Sequence, residues 1–299
     1  MKEITHLVFS GCAFRSFCLL GVLRYIYIEK IDNNIHNVAG SSMGSLFCLL
    51  FALKIPIEFV EEILKSLLQD DYIMTINSSS FINLFTKNGV ESSMKYVEKV
   101  KEYVKNKYDK DDLTFLELSK KTGVNLYVSV TNINKNTNYI LSVDNTPDVS
   151  VFKAVAASMT IPFLAYPIEI NGEYYIDGGL TNNFPIKVFK NIPIDNILGV
   201  AIKIPDDFKV NEIAKNTEIS LFKYISQLSH LIYLNSTHYT LLDHLNDNIL
   251  IIEESPINDW LNIDITKDSI IKKLSIEEFD KLIIKGYTDI YNYMKKNNK

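Results

Sequence analysis

The sequence predicts an α/β protein with a mostly parallel central sheet. Strand-like and helix-like runs alternate along the first fifty residues, and this order implies parallel strands joined by helical crossovers. The chain has 299 residues, enough for one large α/β domain or two small ones. Hydrophobic residues make up 47% and charged residues 22%, so the composition indicates a globular protein and neither a disordered nor a membrane-spanning one.

Two strand and helix pairs open the chain. Residues 7–10 are the first predicted strand, and a helix follows from about 15 to 30. Residues 37–39 are the second strand, and an apolar helix starts after Ser42. Ligands collect at the carboxyl ends of parallel strands, so Ser42 and the turn after the first strand are expected at the same edge of the sheet.

The region from residue 56 to 112 has a helical pattern, with apolar residues three or four positions apart. A polar stretch at 77–80 interrupts it. We therefore expect a helical insertion or cap within a single domain that spans residues 1–299.

The second half of the chain continues the sheet. Strands are predicted at 126–131, 139–143, 166–170, 174–176, 197–204 and 249–253, and helices after Thr114, at 151–158, within 222–241 and from Ser275 onward. Capping-box patterns mark the starts of the helices at Thr114 and Ser275. The strand at 174–176 ends in Asp177, which two glycines follow.

Residues 40–44 read Gly-Ser-Ser-Met-Gly, a G-x-S-x-G pattern between a strand and a helix. A sharp strand-to-helix turn strains the backbone of the central Ser42 and projects its side chain from the sheet. Gly40 and Gly44 leave room for the turn and for a substrate. The helix that follows directs its positive dipole to where an oxyanion would form. This context predicts a nucleophilic Ser42, whereas the five residues alone also fit an ordinary turn.

A serine nucleophile needs a base, and the candidates are carboxylates and histidines. Asp177 lies at a strand end before Gly178 and Gly179, where a side chain is displayed and backbone can pass close to a ligand. An ordinary Asp-Gly-Gly turn is the alternative. Three histidines follow Asp177 in the sequence, namely His230, His238 and His244. Their position is compatible with a catalytic triad in the order Ser, Asp, His, so a triad is a further alternative.

Charge and cysteine usage limit the partners and the compartment. The formal net charge of -5 gives no basic field for a nucleic acid. The three cysteines lie in apolar runs within the first fifty residues, which favours reduced thiols and an intracellular setting. The chain start lacks the pattern of a signal peptide, and the apolar segments are too short to span a membrane. We expect a cytoplasmic protein without a metal site.

Four motifs, taken in order, resemble the patatin-like phospholipase family. They are Ser-Gly-Cys-Ala-Phe-Arg at 10–15, the G-x-S-x-G at 40–44, Ala-Ser-Met-Thr-Ile-Pro at 157–162 and Asp-Gly-Gly-Leu-Thr-Asn-Asn-Phe-Pro at 177–185. Each is weak alone, but their joint occurrence over roughly residues 5–205 is specific. The resemblance implies a three-layer α/β/α sandwich and lipid acyl hydrolysis with no metal or other cofactor.

The resemblance also implies a role for each matching residue. Ser42 would form an acyl-serine intermediate, and Asp177 would be its general base in a Ser-Asp dyad without histidine. Backbone N–H groups of the first motif would form the oxyanion hole, here from Gly11, Cys12 and Ala13. Supporting positions would be Arg15, Gly40, Gly44, Gly178 and Gly179. The implied substrate is a phospholipid or other lipid ester met at a membrane surface; a protein activator is left open.

The first motif departs from the family pattern. Cys12 and Ala13 replace two glycines, and Ser16 replaces a third. The backbone N–H groups of Cys12 and Ala13 can still donate hydrogen bonds to an oxyanion. A positive φ at either residue would cost ~1 to 3 kcal/mol of strain. A weakened lipid-binding or regulatory relative is therefore a second hypothesis, and a Ser-His-Asp esterase for soluble esters is a third. A nucleophilic Cys12 is disfavoured because no histidine neighbours it in the sequence.

The segment 72–85 places apolar side chains around a polar turn; they are Ile73, Met74, Phe81, Ile82 and Phe85. One interpretation is a mobile apolar lid that meets lipid, and the other is ordinary packing of the insertion. Since the chain is acidic, any vesicle contact is expected to depend weakly on salt.

Overall fold

The computed structural model describes residues 3–69, 78–203, 228, 231–236, 249–253 and 274–297. The strands in this part are β1 (His6–Phe9), β2 (Asn37–Ser41), β3 (Gly89–Glu91), β4 (Asn125–Asn132), β5 (Thr137–Ser142), β6 (Phe163–Ala165), β7 (Ile168–Ile170), β8 (Glu173–Asp177), β9 (Ile197–Ile202) and β10 (Ile249–Ile252).

The helices are α1 (Cys18–Ile28), α2 (Met43–Ala52), α3 (Ile57–Gln69), α4 (Ser78–Thr86), α5 (Lys95–Tyr108), α6 (Phe115–Thr122), α7 (Val151–Ser158), α8 (Gly179–Asn182) and α9 (Ile276–Asn297). Short 3-10 helices lie at Ala13–Phe17, Ile31–Asn34, Ile186–Phe189 and Ile194–Asn196. Both predicted capping boxes are present, at Thr114 with Glu117 and at Ser275 with Glu278.

An eight-stranded sheet forms the centre of the described structure, in the order β10-β9-β1-β2-β4-β8-β7, with β5 paired to β4. The strands β10, β9, β1, β2 and β4 are parallel to one another. The pairs β4 with β5, β4 with β8 and β7 with β8 are antiparallel. The predicted α/β class with a mostly parallel central sheet is confirmed.

Hydrophobic cores pack against both faces of this sheet. Side chains alternate along a strand, so Leu7 and Phe9 of β1 join the larger core with the helices α1, α2 and α7. Val8 faces the other way and packs with Phe184 and Phe189 in a second core. A parallel sheet requires cover of this kind on both faces.

The helix behind Ser42 is buried along its whole length. Every residue of α2 is buried, and the sequence from Met43 to Ala52 is apolar on all sides apart from one serine. A helix of that type belongs inside a domain. It therefore gives the turn at Ser42 a rigid support.

The insertion at 56–112 holds the predicted helices and one strand that the pattern did not predict. Strand β3 pairs in parallel with β6, which was also unpredicted. Each has three residues, too few for an alternating pattern, and Phe163 in β6 has a φ of 66°.

Residues 72–77 of the lid segment and most of the helix predicted within 222–241 lie outside the described residues. Among the helices that are described, none combines the length and apolarity needed to cross a bilayer.

Candidate active site

The strands β2 and β8 pair with the same edge of β4, and their carboxyl ends meet there. Ser41, the last residue of β2, pairs with Ser129 of β4, and Asp177, the last residue of β8, pairs with Val130. Strand β5 pairs with residues 127–132 of β4, so it occupies the opposite edge. The strands β2 and β8 therefore run toward each other on one edge, and their carboxyl ends meet.

Ser42 lies in a strained turn between β2 and α2. Its φ of 49° and ψ of -132° cost a residue other than glycine ~1 to 3 kcal/mol. The Ser42 N–H donates to Ser158 Oγ at 2.8 Å, and Ser158 Oγ donates to the Ser129 carbonyl at 2.6 Å. The Ser42 carbonyl accepts from Ser45 Oγ at 2.6 Å. These hydrogen bonds hold the strained backbone in place.

The side chains of Ser42 and Asp177 are in direct contact. Ser42 Oγ donates a hydrogen bond to Asp177 Oδ2 at 2.7 Å. The other carboxylate oxygen, Oδ1, accepts from the Gly179 N–H at 2.8 Å. The Asp177 side chain is fully buried, whereas 7% of the Ser42 surface is exposed. Ser42 is thus the more accessible residue of the pair.

Burial changes the acidity of Asp177. Loss of solvent raises the pKa of this carboxyl to about 7, against smaller lowering effects of the hydrogen bonds from Ser42 and Gly179. A carboxylate of ordinary pKa is a weak base, whereas one with a pKa near 7 is matched to proton transfer at neutral pH.

Glycines allow the backbone segments of the site to approach closely. A Cβ added to Gly11 would lie 2.6 Å from Ser42 Cβ, and one added to Gly178 would lie 2.0 Å from the Ser129 carbonyl oxygen. The predicted support residues Gly40 and Gly44 lie where α2 meets β2 and β1, and an added Cβ at either would approach backbone atoms within 2.6 Å. Side chains at these positions would push the site apart.

The turn after β1 lies beside Ser42, but one of its three predicted oxyanion donors is engaged. The Cys12 N–H donates to Ser16 Oγ at 2.8 Å. Cys12 has an extended φ of -164°, whereas Ala13 has a φ of 42°, in the region that favours glycine. Asn183 Nδ2 donates to the Gly11 carbonyl at 2.9 Å and ties this turn to the segment after Asp177.

Arg15 is buried next to the same turn. Its backbone N–H donates to the Cys12 carbonyl at 3.0 Å. Burial raises the pKa of the Cys12 thiol to about 11, although the Arg15 guanidinium acts in the opposite direction. A thiol with this pKa is protonated at neutral pH, so its chemistry does not fit a nucleophile.

The histidines of the described residues lie away from Ser42. His6 begins β1 and His36 directly precedes β2, at the opposite ends of these strands. The three histidines of the possible triad lie outside the described residues. Where the structure is described, no group of three or more His, Cys, Asp or Glu side chains is arranged to hold a metal ion.

Sequence reasoning assigned no role to Ser158, Asn183 or Tyr233. Ser158 and Asn183 lie within the quoted motifs, and that context was a usable signal for them. Tyr233 lies in the region of the predicted amphipathic helix, where nothing in the sequence distinguishes it from a core residue.

The chain is similar to several known proteins. The family model described as patatin-like phospholipase matches residues 7–190. An uncharacterized protein of Acanthamoeba polyphaga mimivirus, R571, is 30% identical over 205 residues, which are 67% of this chain and 65% of that protein. The probable lipid hydrolase 463L of Invertebrate iridescent virus 6 is 36% identical over 189 residues, covering 62% of this chain and 63% of that protein. The chain thus spans slightly less than two thirds of the length of these curated relatives.

The fold resembles a solved bacterial structure. VipD from Legionella pneumophila superposes with a TM-score of 0.61 at 18% sequence identity, over 98% of this chain and 67% of that one. This likeness concerns the fold alone. The family match covers more than half of the chain and includes the turn after β1, Ser42 and Asp177. The chain belongs to the patatin-like phospholipase family.

Proposed function

We propose that this protein is a lipid acyl hydrolase of the phospholipase A type, in which Ser42 and Asp177 form a catalytic dyad. The observation that carries the proposal is the hydrogen bond of 2.7 Å from Ser42 Oγ to Asp177 Oδ2. Membership of the family and the similarity to a viral protein named as a probable lipid hydrolase support the substrate class.

In the acylation step, Ser42 Oγ attacks the carbonyl carbon of a lipid ester while its proton passes to Asp177 Oδ2. The tetrahedral intermediate then collapses and the bond to the alcohol portion of the lipid breaks. The leaving oxygen takes the proton from Asp177, which leaves the acyl group on Ser42. The hydrogen bond from the Gly179 N–H to Asp177 Oδ1 keeps the carboxylate oriented during these transfers.

In the deacylation step, water attacks the acyl ester and gives a proton to Asp177. The second tetrahedral intermediate collapses, and Ser42 Oγ recovers that proton as the fatty acid leaves. The cycle returns both side chains to their starting protonation states. It uses no metal ion or other cofactor.

The negative oxygen of each tetrahedral intermediate needs hydrogen-bond donors. The N-terminus of α2, which starts at Met43, directly follows Ser42. Gly11, the first residue of the predicted oxyanion turn, lies beside Ser42 as well. Ala13 opens a 3-10 helix, and the first N–H groups of a helix have no acceptor within it. The Cys12 N–H contributes only after its hydrogen bond to Ser16 Oγ breaks.

We further propose that the insertion at 56–112 caps the site and meets the lipid surface. On α4, Ile82 is 61% exposed and Phe85 is 75% exposed. These residues are three positions apart and therefore share one face of the helix. An exposed apolar face of this kind is suited to a membrane surface.

A second candidate function is a lipid-binding or regulatory role with little turnover. It is favoured by the engaged Cys12 N–H and by the positive φ of Ala13, both of which weaken the turn as an oxyanion hole. In that case the site at Ser42 would bind lipid without fast cleavage.

A fluorophosphonate probe, which labels activated serines, tests the proposal. Labelling should occur in the wild type, disappear in Ser42→Ala and fall strongly in Asp177→Asn. Ser41→Ala is the matched control, because it removes the neighbouring buried hydroxyl and should leave labelling intact. A wild-type protein that is folded, binds lipid vesicles and resists the probe would instead favour the second candidate.

A further inference from the structure

The side chain of Asn183 joins the turn after β1 to the segment that follows Asp177. Asn183 is fully buried, and its Nδ2 donates to the Gly11 carbonyl at 2.9 Å. Its Oδ1 lies between the two segments, since a Cβ added to Gly11 would be 3.1 Å from Oδ1 and one added to Gly179 would be 2.9 Å from it. One amide therefore contacts both the turn with the predicted oxyanion donors and the segment beside the proposed base.

We propose that Asn183 is a positioning residue for the oxyanion turn, because its amide fixes the orientation of the Gly11–Cys12 peptide beside Ser42. The inference rests on the proposed function for one point, namely that this turn donates to the oxyanion. The hydrogen bond from Asn183 to Gly11 is independent of that point. Asn183 acts only through Gly11 and has no direct contact with the reacting atoms.

The Gly11–Cys12 peptide is held at both of its polar groups. The Gly11 carbonyl and the Cys12 N–H belong to one planar unit and point in opposite directions, so fixing the carbonyl also sets the direction of the N–H. Asn183 Nδ2 holds the carbonyl, and Ser16 Oγ accepts from the N–H at 2.8 Å. Gly11 has no side chain to restrict its backbone, so its orientation depends on such contacts. A Cβ added to Gly11 would be 2.6 Å from Ser42 Cβ, so the peptide lies beside the nucleophile.

The backbone around Asn183 is anchored by contacts other than the Nδ2 hydrogen bond. Asn183 directly follows α8, and the next residue, Phe184, is fully buried in the second core with Val8 of β1. The Asn183 N–H donates to Ser236 Oγ at 3.0 Å. A side chain of similar size without the amide donor should therefore leave the backbone in place and release only the Gly11 carbonyl.

An NMR experiment can observe this one peptide. The dipeptide Gly-Cys occurs once in the sequence, at residues 11 and 12. Protein labelled with carbon-13 at the glycine carbonyl and with nitrogen-15 in cysteine therefore gives a single peak in a spectrum that correlates each amide N–H with the preceding carbonyl. Asn183→Leu keeps the branched shape of the side chain and removes the donor. The Gly11 carbonyl signal should move upfield in this variant, because the carbonyl loses its hydrogen bond.

The matched control is Asn182→Leu, the same substitution at the preceding residue. Asn182 Nδ2 donates to Asn138 Oδ1 on β5 at 3.2 Å, so the Gly11 peak of this variant should coincide with that of the wild type. Coincident peaks for Asn183→Leu and the wild type, with unchanged circular dichroism, would overturn the inference. An equal displacement in both variants would overturn it as well. If leucine at 183 prevents folding, Asn183→Asp and Asn182→Asp make the same comparison with side chains of unchanged shape.

Steady-state kinetics with a short-chain ester give the readout that is specific to positioning. Asn183→Leu should lower kcat by about 10-fold or more and leave KM unchanged, because a misoriented donor weakens stabilisation of the transition state and not substrate binding. Asn182→Leu should leave both values within about twofold.

The carbonyl signal does not depend on turnover, so it separates the inference from the proposed function. If the wild type resists the fluorophosphonate probe while the Gly11 signal still moves in Asn183→Leu, the proposed function fails and the hold of Asn183 on the peptide stands. An active wild type whose kcat is unchanged in Asn183→Leu would overturn the inference and leave the proposed function intact.

Discussion

The Cys12 N–H donates a hydrogen bond to the Ser16 hydroxyl, 2.8 Å away and within the same buried turn. This N–H is one of the groups that would stabilise the oxyanion on a substrate bound at Ser42. In the proposed mechanism, the Ser16 hydroxyl would therefore compete with the substrate for this donor. A residue without a side-chain oxygen at this position would leave the N–H open.

Replacement of Ser16 by alanine or glycine is expected to raise kcat, because the Cys12 N–H loses its internal acceptor. Removal of one oxyanion donor costs about 10² to 10³ in kcat, so restoring one is expected to give a rise of about 10-fold or more. Steady-state hydrolysis of a short-chain ester measures the effect. Equal rates in Ser16→Ala, Ser16→Gly and the wild type would mean that this N–H takes no part in the reaction.

The identity of the base can be tested by comparing carboxylate and histidine variants. Asp177→Asn should lower kcat by several orders of magnitude, since a neutral amide cannot take the proton of Ser42. Separate alanine variants of His230, His238 and His244 should leave kcat within about twofold, because the hydrogen bond to Ser42 Oγ comes from Asp177. A large loss in one histidine variant with unchanged circular dichroism would replace the dyad with a triad.

The raised pKa of Asp177 also predicts how stability varies with pH. In the unfolded chain the pKa of this carboxyl is near its ordinary value of 3.8, and in the folded protein it is about 7. Between these values the folded state holds one more proton, so the free energy of unfolding falls as pH rises and levels off above about 7. This contribution should decrease by about 2 to 3 kcal/mol between pH 5 and pH 8.

Asp177→Asn removes this contribution, so it should be more stable than the wild type at pH 8, and the advantage should shrink at pH 5. Urea unfolding of both proteins at the two pH values measures the difference. An advantage that is equal at pH 5 and pH 8 would show that the Asp177 pKa is not raised by folding.

The face formed by Ile82 and Phe85 is expected to bind lipid vesicles. The double variant Ile82→Ser and Phe85→Ser should reduce vesicle partitioning, with a weak dependence on salt because the contact is apolar. Ile284→Ser on α9 is the matched control, since this isoleucine is 65% exposed and lies on a different element. Partitioning that is unchanged in the double variant, or that falls equally in the control, would remove the lipid-binding role of α4.

The sequence was sufficient to single out Ser42 and Asp177, whose side chains the structure brings into contact, because each lies at the end of a strand beside glycines. The meeting of β2 and β8 on one edge of β4 was not predictable. It depends on the antiparallel pairing of β8 with β4, whereas the alternating pattern indicated parallel strands. The expectation that Ser42 and Asp177 meet came from the resemblance, which rests on the order of the motifs. The local sequence around either residue does not predict it.

The use of the Ser16 hydroxyl was also not predictable. The sequence favoured a regular helix from about residue 15, whereas Ala13–Phe17 forms a 3-10 helix that returns Ser16 toward Cys12. The contact of Tyr233 with Gly179 joins residues more than fifty positions apart and has no local pattern. Both features depend on tertiary packing, which overrides local propensity.

The most direct test of the account is to find the acyl group during turnover. Protein mixed with a fatty acyl ester and quenched in acid should carry one acyl group, and peptide mapping by mass spectrometry should place it on Ser42. Asp177→Asn should show almost no adduct, since the Ser42 proton would have no acceptor. Turnover in a purified preparation with the acyl group on another residue, or with none at Ser42 under single-turnover conditions, would contradict the acyl-Ser42 mechanism.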